Sequence, residues 1–383
     1  MHSPRYLESL TPSAVDDIIS HWRETFPAFS VLALLPEAEA AAVPVLQQSC
    51  TRAGIALAGA IFPALLLETG GVKKGAILLP LVGAPAPLLV EDVAHAEAVE
   101  PLAARLAGFV DDLLGESEEE ATLFCVFDAL VPNIATHLDA WYLALADRVH
   151  YAGVNAGSER FVRIDCLFDN ARSIAGGVLL QLLPGHAGAA LEHGFDVPEQ
   201  VTTATSATGN RVVQIDWRSA LEVYRETMAA QYGVAIDRDN FYNYAVHFPF
   251  GILRADGTVL VRIPVALDEA GGIVCVGEIP PNSVLTLLDA RSGAGRAPAL
   301  LAMDLADMKT GSTHNLVTFY CAGRRMHMGE AGMKRELAEL ARLTGHPRLY
   351  GALSLGEIGA SSSGGYPLFH NATVVGIPWG GGG

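Results

Sequence analysis

Between Gly351 and Asn371 the chain reads GALSLGEIGASSSGGYPLFHN: small residues, one carboxylate at Glu357, a loop of Ser361, Ser362, Ser363, Gly364 and Gly365, then Phe369, His370 and Asn371. A carboxylate, an imidazole and a carboxamide so close in sequence are groups that hold a polar ligand or move a proton. Thirty residues earlier Cys321 closes an apolar stretch and is followed by Ala322, Gly323, Arg324 and Arg325. Guanidinium charge beside a thiol lowers its pKa and raises its reactivity; the same cysteine on an apolar strand also reads as a small buried hydrophobe. Arg324 has the planar fork that grips a carboxylate, either Glu357 or one carried by a ligand, and a purely structural ion pair is the other reading. Cys321 and His370 with Glu357 or Asn371 have the residue types of a cysteine nucleophile, its base and an orienting group. Types without geometry do not select hydrolysis.

Other chemistries have less to build on. None of the twelve histidines sits in a His-x-x-x-His or His-Glu-x-x-His arrangement, so no metal ligand is assigned. Single histidines at His186, His193, His247 and His346 each offer one-sided ligation of haem iron. There is no Walker lysine motif, and the glycines of AGGVLLQLLPGHAG lack the strand, Gly-x-Gly-x-x-Gly and helix order of a dinucleotide site. A formal charge of -17 argues against a nucleic-acid partner, whose phosphates call for clustered Lys and Arg. Five cysteines, Cys50, Cys125, Cys166, Cys275 and Cys321, make no Cys-x-x-Cys pair. The longest uncharged stretches, from Arg52 to Glu68 and from Gly75 to Val90, are shorter than the ~18 to 20 residues of a membrane span and are broken by proline. With no apolar signal core in MHSPRYLESL, the expectation is a cytoplasmic protein without a membrane partner.

The elements that must carry these residues follow from periodicity. At 383 residues, half of them hydrophobic and 17% charged, the chain has material for about two domains with large cores. Thr11 caps a helix with Pro12 in its first turn and Val15, Ile18, Ile19 and Trp22 on one face. FSVLALL reads as a buried strand, followed by a helix from Pro44 to a glycine cap at Gly54. IALAGAIFPALLLETGGVKKGAILLPLV then suggests paired strands about a Gly-Gly-Val-Lys-Lys-Gly turn. The strand, helix, strand order returns from ATLFCVFDAL and again from NLVTFYCAGRR, and Phe168, Asp169 and Asn170 echo Phe369, His370 and Asn371. This is the mark of internal duplication. Between the later copies lie a helix carrying Leu221, Tyr224 and Met228 and a meander turning at Asp256-Gly257 and Gly271-Gly272. The expected fold is therefore α/β (α+β), two pseudo-related domains of mixed and antiparallel sheets packed with flanking helices, at residues 1–215 and 216–383.

VTFYCAGRR, then YGALSLGEIG and LFHNATVV, resemble the C-terminal half of the FIST domain, matching its pattern at Cys321, Ala322, Gly323, Arg324, Gly356, Glu357, Ile358, Phe369, His370, Asn371 and Thr373. Val201, Thr202, Gly209, Asn210, Ala220, Leu221 and Tyr224 resemble the family's junction between halves. Where the N-terminal half usually carries a Gly-Cys-Ser-x-Ala-Gly-Glu segment, this chain has Ile61, Phe62, Pro63 and Ala64. The resemblance implies a sensory protein of intracellular signal transduction rather than an enzyme. It would bind a small molecule such as an amino acid, or in some members haem that senses nitric oxide, and pass its signal to a kinase or cyclic-dinucleotide enzyme in trans. The ligand-binding set it implies is Cys321, Arg324, Glu357, His370 and Asn371, with Gly351 to Asn371 forming one wall of a pocket. The cofactor stays unknown, with haem as the open alternative.

Overall fold

The computed structural model describes residues 3–68, 70–115, 120–290, 295–308, 315–346, 348–360 and 365–379. The first unit runs β1 (Arg5–Leu7), α1 (Pro12–Thr25), β2 (Phe29–Pro36), α2 (Val43–Ala53), β3 (Leu57–Phe62), a hairpin of β4 (Leu65–Leu67) and β5 (Gly70–Val72), and β6 (Ala76–Val82). The second repeats the order: β7 (Leu88–Val90), α3 (Val99–Leu114), β8 (Ala121–Asp128), α4 (Ile134–Leu145), β9 (His150–Ala156), hairpin β10 (Leu167–Asp169) and β11 (Ser173–Ile174), β12 (Val178–Pro184). The third opens with β13 (Ala190–Glu192) and is interrupted by an insertion. That insertion holds β14 (Thr202–Thr203), β15 (Ser206–Thr208), β16 (Arg211–Ile215), β17 (Arg218–Ser219), α5 (Ala220–Tyr232), α6 (Phe241–Ala245), β18 (Phe250–Leu253), β19 (Val259–Arg262), β20 (Pro264–Leu267), β21 (Ile273–Cys275) and β22 (Val284–Leu287). The third unit then resumes with α7 (Arg296–Asp307), β23 (Asn315–Cys321), α8 (Ala322–Thr344), β24 (Leu349–Ser354), hairpin strands β25 (Glu357–Gly359) and β26 (Leu368–His370), and β27 (Val374–Trp379).

The fold is α/β with mixed sheets. In each unit the two strands joined by a helix lie parallel, β2 with β3, β8 with β9 and β23 with β24, and the last long strand returns antiparallel. The hairpins do not stay at home. The first unit's β4 pairs with β24, the second unit's β10 with β3, and the third unit's β25 with β9. Among the described residues three six-stranded sheets result, β1-β6-β2-β3-β10-β11, β7-β12-β8-β9-β25-β26 and β13-β27-β23-β24-β4-β5, each completed by a hairpin from another unit. The strands flanking the Gly-Gly-Val-Lys-Lys-Gly segment are therefore not partners: β3 and β6 both pair with β2, and β5 occupies part of the expected turn. The echo of Phe168 and Phe369 is also not an equivalence. Phe168 lies on β10, the hairpin strand next to its host sheet, and Phe369 on β26, the outer one.

Period-2 alternation divides the central strands between two cores. Phe124 and Val126 of β8 and Val317 and Phe319 of β23 face the centre, where Phe319 lies 5.8 Å from Phe62 and 6.2 Å from Phe124 between ring centroids. Leu123, Cys125 and Phe127 point instead to α3 and α4, and Leu316 and Tyr320 to α8. Burial on both faces explains why these strands read as continuous apolar runs. Gly59 lets the Phe168 ring lie against β3, since a Cβ there would come within 2.1 Å of it. The helix starts and stops follow local chemistry: the Thr11 hydroxyl accepts the Ala14 N–H, and Gly54 caps α2 at a φ of 66°. In the insertion, a four-stranded and a five-stranded sheet share a core around Tyr224, Met228, Phe241 and Phe248. Its β18–β19 hairpin turns at Gly257, whose φ is 86°.

Candidate ligand-binding site

The end of β23 meets the insertion and the second unit around a cavity of about 400 Å³. Its inner end is formed by Cys321, Ala322 and Gly323, with Leu355 and Asn371 beside them. Ile263, Val265 and Val276 make an apolar wall from the insertion, and Tyr242 and Val246 extend it. At the mouth stand three half-exposed apolar side chains, Phe161, Tyr242 and Met326. A charged trio joins them, in which Arg325 pairs with Glu159 of the second unit and, at 3.1 Å, with Glu330. Phe161 takes a φ of 52°, an uncommon conformation for a bulky residue.

Of the five residues expected to bind a ligand, Cys321 and Asn371 line this cavity and Arg324, Glu357 and His370 do not. Arg324 is wholly buried. Its Nε and Nη2 donate to Glu336 at 2.8 and 2.6 Å, and its Nη1 donates to the carbonyls of His193 and Ala372. The carboxylate it grips is thus neither Glu357 nor a ligand's. Glu336 lies twelve residues on in the same helix, about 18 Å away were that helix unbroken. Gly329, at φ 67° and ψ 167°, breaks α8 and folds its two parts toward each other. Burial works against the Glu336 charge, but the hydrogen bonds from Arg324 outweigh it and hold the carboxyl below the usual range. Ala372 has a φ of 57°, and with its carbonyl held by Arg324 and its N–H donating to Cys321 Sγ at 3.2 Å, the turn leading out of Asn371 is clamped on both sides.

Glu357 is also fully buried, behind Cys321. Its Oε1 accepts from Ser354 Oγ at 2.6 Å and its Oε2 from Thr373 Oγ1 at 2.7 Å. Burial pushes its pKa up to about 7, against the opposing pull of these hydrogen bonds. Of the two readings of Cys321, the small buried hydrophobe fits and activation by guanidinium charge does not. Burial first, and then the neighbouring Glu357, drive the thiol's pKa up rather than down, while the Arg324 guanidinium is spent on Glu336. His370 is buried too, its pKa pulled down to about 3 by burial and by Arg262, so its ring is neutral. His370 also has ring nitrogens without a hydrogen-bond partner among the described residues, but Asn371 is the one of the two that lines the cavity. Its Nδ2 donates to the His370 carbonyl at 3.0 Å, and its buried Oδ1 has no partner among the described residues. A buried acceptor left unpaired is costly, and a ligand N–H or O–H in the cavity would remove that cost.

None of His186, His193, His247 and His346 lines the cavity, so these residues do not fit a haem ligand set there. His186 and His193 are held neutral by burial, each pulled down to about 4, and His247 Nδ1 lies 3.1 Å from His327 Nδ1. Residues 361–364 of the Ser-Gly loop lie outside the described residues. Sequence reasoning named Arg325 only as charge beside Cys321 and did not single out Glu159, Phe161 or Tyr242. The only signal was that Arg325 adjoins Arg324; the others approach from far along the chain.

Residues 11–218 match the FIST N domain and residues 220–360 match the FIST C domain. No curated protein matches the chain.

Proposed function

Because this chain belongs to the FIST family, with its N and C domains in succession, we propose that it is a sensory protein of intracellular signalling whose ligand occupies the cavity at the end of β23. The observation that carries the reading is a cavity with an apolar wall and a charged mouth that is lined by Asn371, whose buried Oδ1 has no partner among the described residues. The ligand is a small molecule with an apolar body and an N–H or O–H group at its inner end. An amino acid has this form: its ammonium meets Asn371 Oδ1 or the glutamates of the mouth, its carboxylate meets Arg325, and its side chain lies on Ile263, Val265 and Val276. The Glu159 loop of the second unit is tied to α8 through Arg325, and a ligand carboxylate that takes Arg325 would redirect this tie, shifting it by its differential affinity for the two arrangements. The exposed Phe161, Tyr242 and Met326 give a signalling partner an apolar surface that changes with occupancy.

The test is a thermal-shift screen of the twenty amino acids against the wild type and Asn371→Leu. A ligand at a hundred times its Kd stabilises the native state by about 2.7 kcal/mol. The wild type should gain that stability with at least one apolar amino acid, and Asn371→Leu should lose the gain. If no amino acid raises the midpoint, the amino-acid reading fails; if one does so equally in Asn371→Leu, the site is misplaced.

A further inference from the structure

Neighbouring residues of the same segments divide between two hollows. Ile263 and Asn371 line the cavity, whereas Arg262 and Phe369 line a separate groove of about 600 Å³ between α4, the β18–β19 hairpin and the segment leading into β26. Arg262 is 2% exposed. Its Nε donates to the Glu278 carbonyl at 2.8 Å, its Nη1 donates to the carbonyls of Val261 and Phe369 at 3.0 and 2.9 Å, and its guanidinium lies 5.4 Å from the centre of the Phe369 ring. Every one of these hydrogen bonds goes to a neutral backbone oxygen. Among the described residues no carboxylate pairs with Arg262, and its Nη2 has no hydrogen-bond partner. Burial pulls its pKa down to about 10, which still leaves it charged at neutral pH.

The remaining charges of the groove are unequally committed. Glu278 accepts the N–H and hydroxyl of Thr136, Asp139 accepts the Tyr366 hydroxyl, and Asp256 accepts the Thr258 N–H within its own turn. Arg254, exposed at the rim, lies 5.7 Å over the Tyr366 ring and forms no ion pair among the described residues. The acids thus hold neutral donors, and neither arginine has a directly paired carboxylate among the described residues. Between them Ile252, Leu260 and Leu368 offer apolar surface.

We propose that this groove is a second ligand site and that it takes a carboxylate, with Arg262 as the buried anchor through Nη2 and Arg254 closing on the ligand from the rim. The carboxylate supplies Arg262 with a directly bonded counter-charge, where the fold offers only the unbonded charge of Glu278, and guanidinium hydrogen bonds to an anion are the strong kind. A free organic acid and the C-terminus of an aliphatic peptide present the same group.

Calorimetric titration of the full chain with glutarate, with its diamide, and with an acetylated aliphatic tripeptide ending in either a free acid or an amide tests this. The acids should bind and the amides should not, with affinity falling as salt rises. Arg254→Gln, at an exposed position, should fold as the wild type does by circular dichroism and weaken acid binding about tenfold. Arg262→Lys keeps the charge, loses the fork and should weaken it further; if it does not fold, Arg254→Gln alone decides. Asn371→Leu should leave this binding unchanged, which separates the groove from the cavity. Tighter binding of glutarate would mark a free metabolite as the source, and tighter binding of the tripeptide acid a protein C-terminus. Amides binding as well as acids, no acid binding at millimolar concentration, or an Arg254→Gln protein with wild-type affinity would overturn the proposal.

Discussion

Arg324→Ala is the substitution whose outcome separates support of the site from contact with a ligand. Arg324 is fully buried and makes four hydrogen bonds, two to Glu336 and two to backbone carbonyls. Removing it leaves Glu336 with the Tyr320 hydroxyl at 2.6 Å and the Gly295 N–H at 3.2 Å but without a counter-charge. Stranding one partner of a buried ion pair costs about 3–5 kcal/mol, a large share of the ~5–15 kcal/mol that holds a typical protein folded. Replacing both partners by apolar residues is often close to neutral. Arg324→Met with Glu336→Leu should therefore regain at least half of the loss, the remainder being the two carbonyls left without a donor. Urea unfolding at constant slope reads this as a fall in midpoint of at most about 1 to 1.7 M for Arg324→Ala, taking a slope of at least ~3 kcal/mol per M for a chain of this length. The pH dependence has a definite sign. Glu336 has a lowered folded pKa, so its contribution is complete above its unfolded value of about 4.3 and is lost as pH falls through the folded value. The gap between wild type and double variant should narrow in acid. An Arg324→Ala protein within 1 kcal/mol of wild type, or a double variant no more stable than the single one, would refute a purely structural role and return Arg324 to the ligand.

Glu357 gives the opposite slope: with a pKa raised to about 7 it stays protonated in the fold while the unfolded chain ionises, so stability should fall between about pH 4.5 and 7, by roughly 3 kcal/mol in all. Glu192, pushed up to about 7 by burial and by Asp304, titrates in the same window; the decisive measurement is therefore the difference in slope between wild type and Glu357→Gln, and equal slopes would count against the assignment. Cys321 should resist iodoacetamide in the native protein at pH 7.5 and react once urea unfolds it; rapid selective alkylation by peptide mass mapping would restore it as a nucleophile. Gly329→Ala places a side chain at a φ of 67°, and should cost about 1–3 kcal/mol by thermal unfolding; an unchanged midpoint would mean that the break in α8 does not depend on glycine.

Local chemistry was legible where neighbours in sequence are neighbours in space. Thr11 caps α1, Gly54 ends α2 and Gly257 turns the β18–β19 hairpin, each from a pattern a few residues long. The recurring strand, helix, strand order was visible at Phe29, Ala121 and Asn315 because buried parallel strands leave continuous apolar runs. The destinations of the hairpins were not, since pairing β4 with β24 joins residues nearly three hundred positions apart with no turn to announce it. Of the residues picked by type, Cys321 and Asn371 line the cavity. For Arg324 the structural ion pair was one of the open readings, but its partner was not legible, because the union with Glu336 depends on a single glycine conformation in the middle of a helix that otherwise reads as unbroken. Arg262 raised no signal, for a lone arginine in a strand looks like a surface residue until its burial is known.

The passing of hairpins from unit to unit means that no unit owns all the strands of its own sheet. Cutting the chain after the second unit would strip β9 of its outer neighbours and at the same time orphan β4 and β5. Such a closed exchange favours loss of structure in one concerted event, and a shift in any one hairpin is felt first by a sheet that did not supply it.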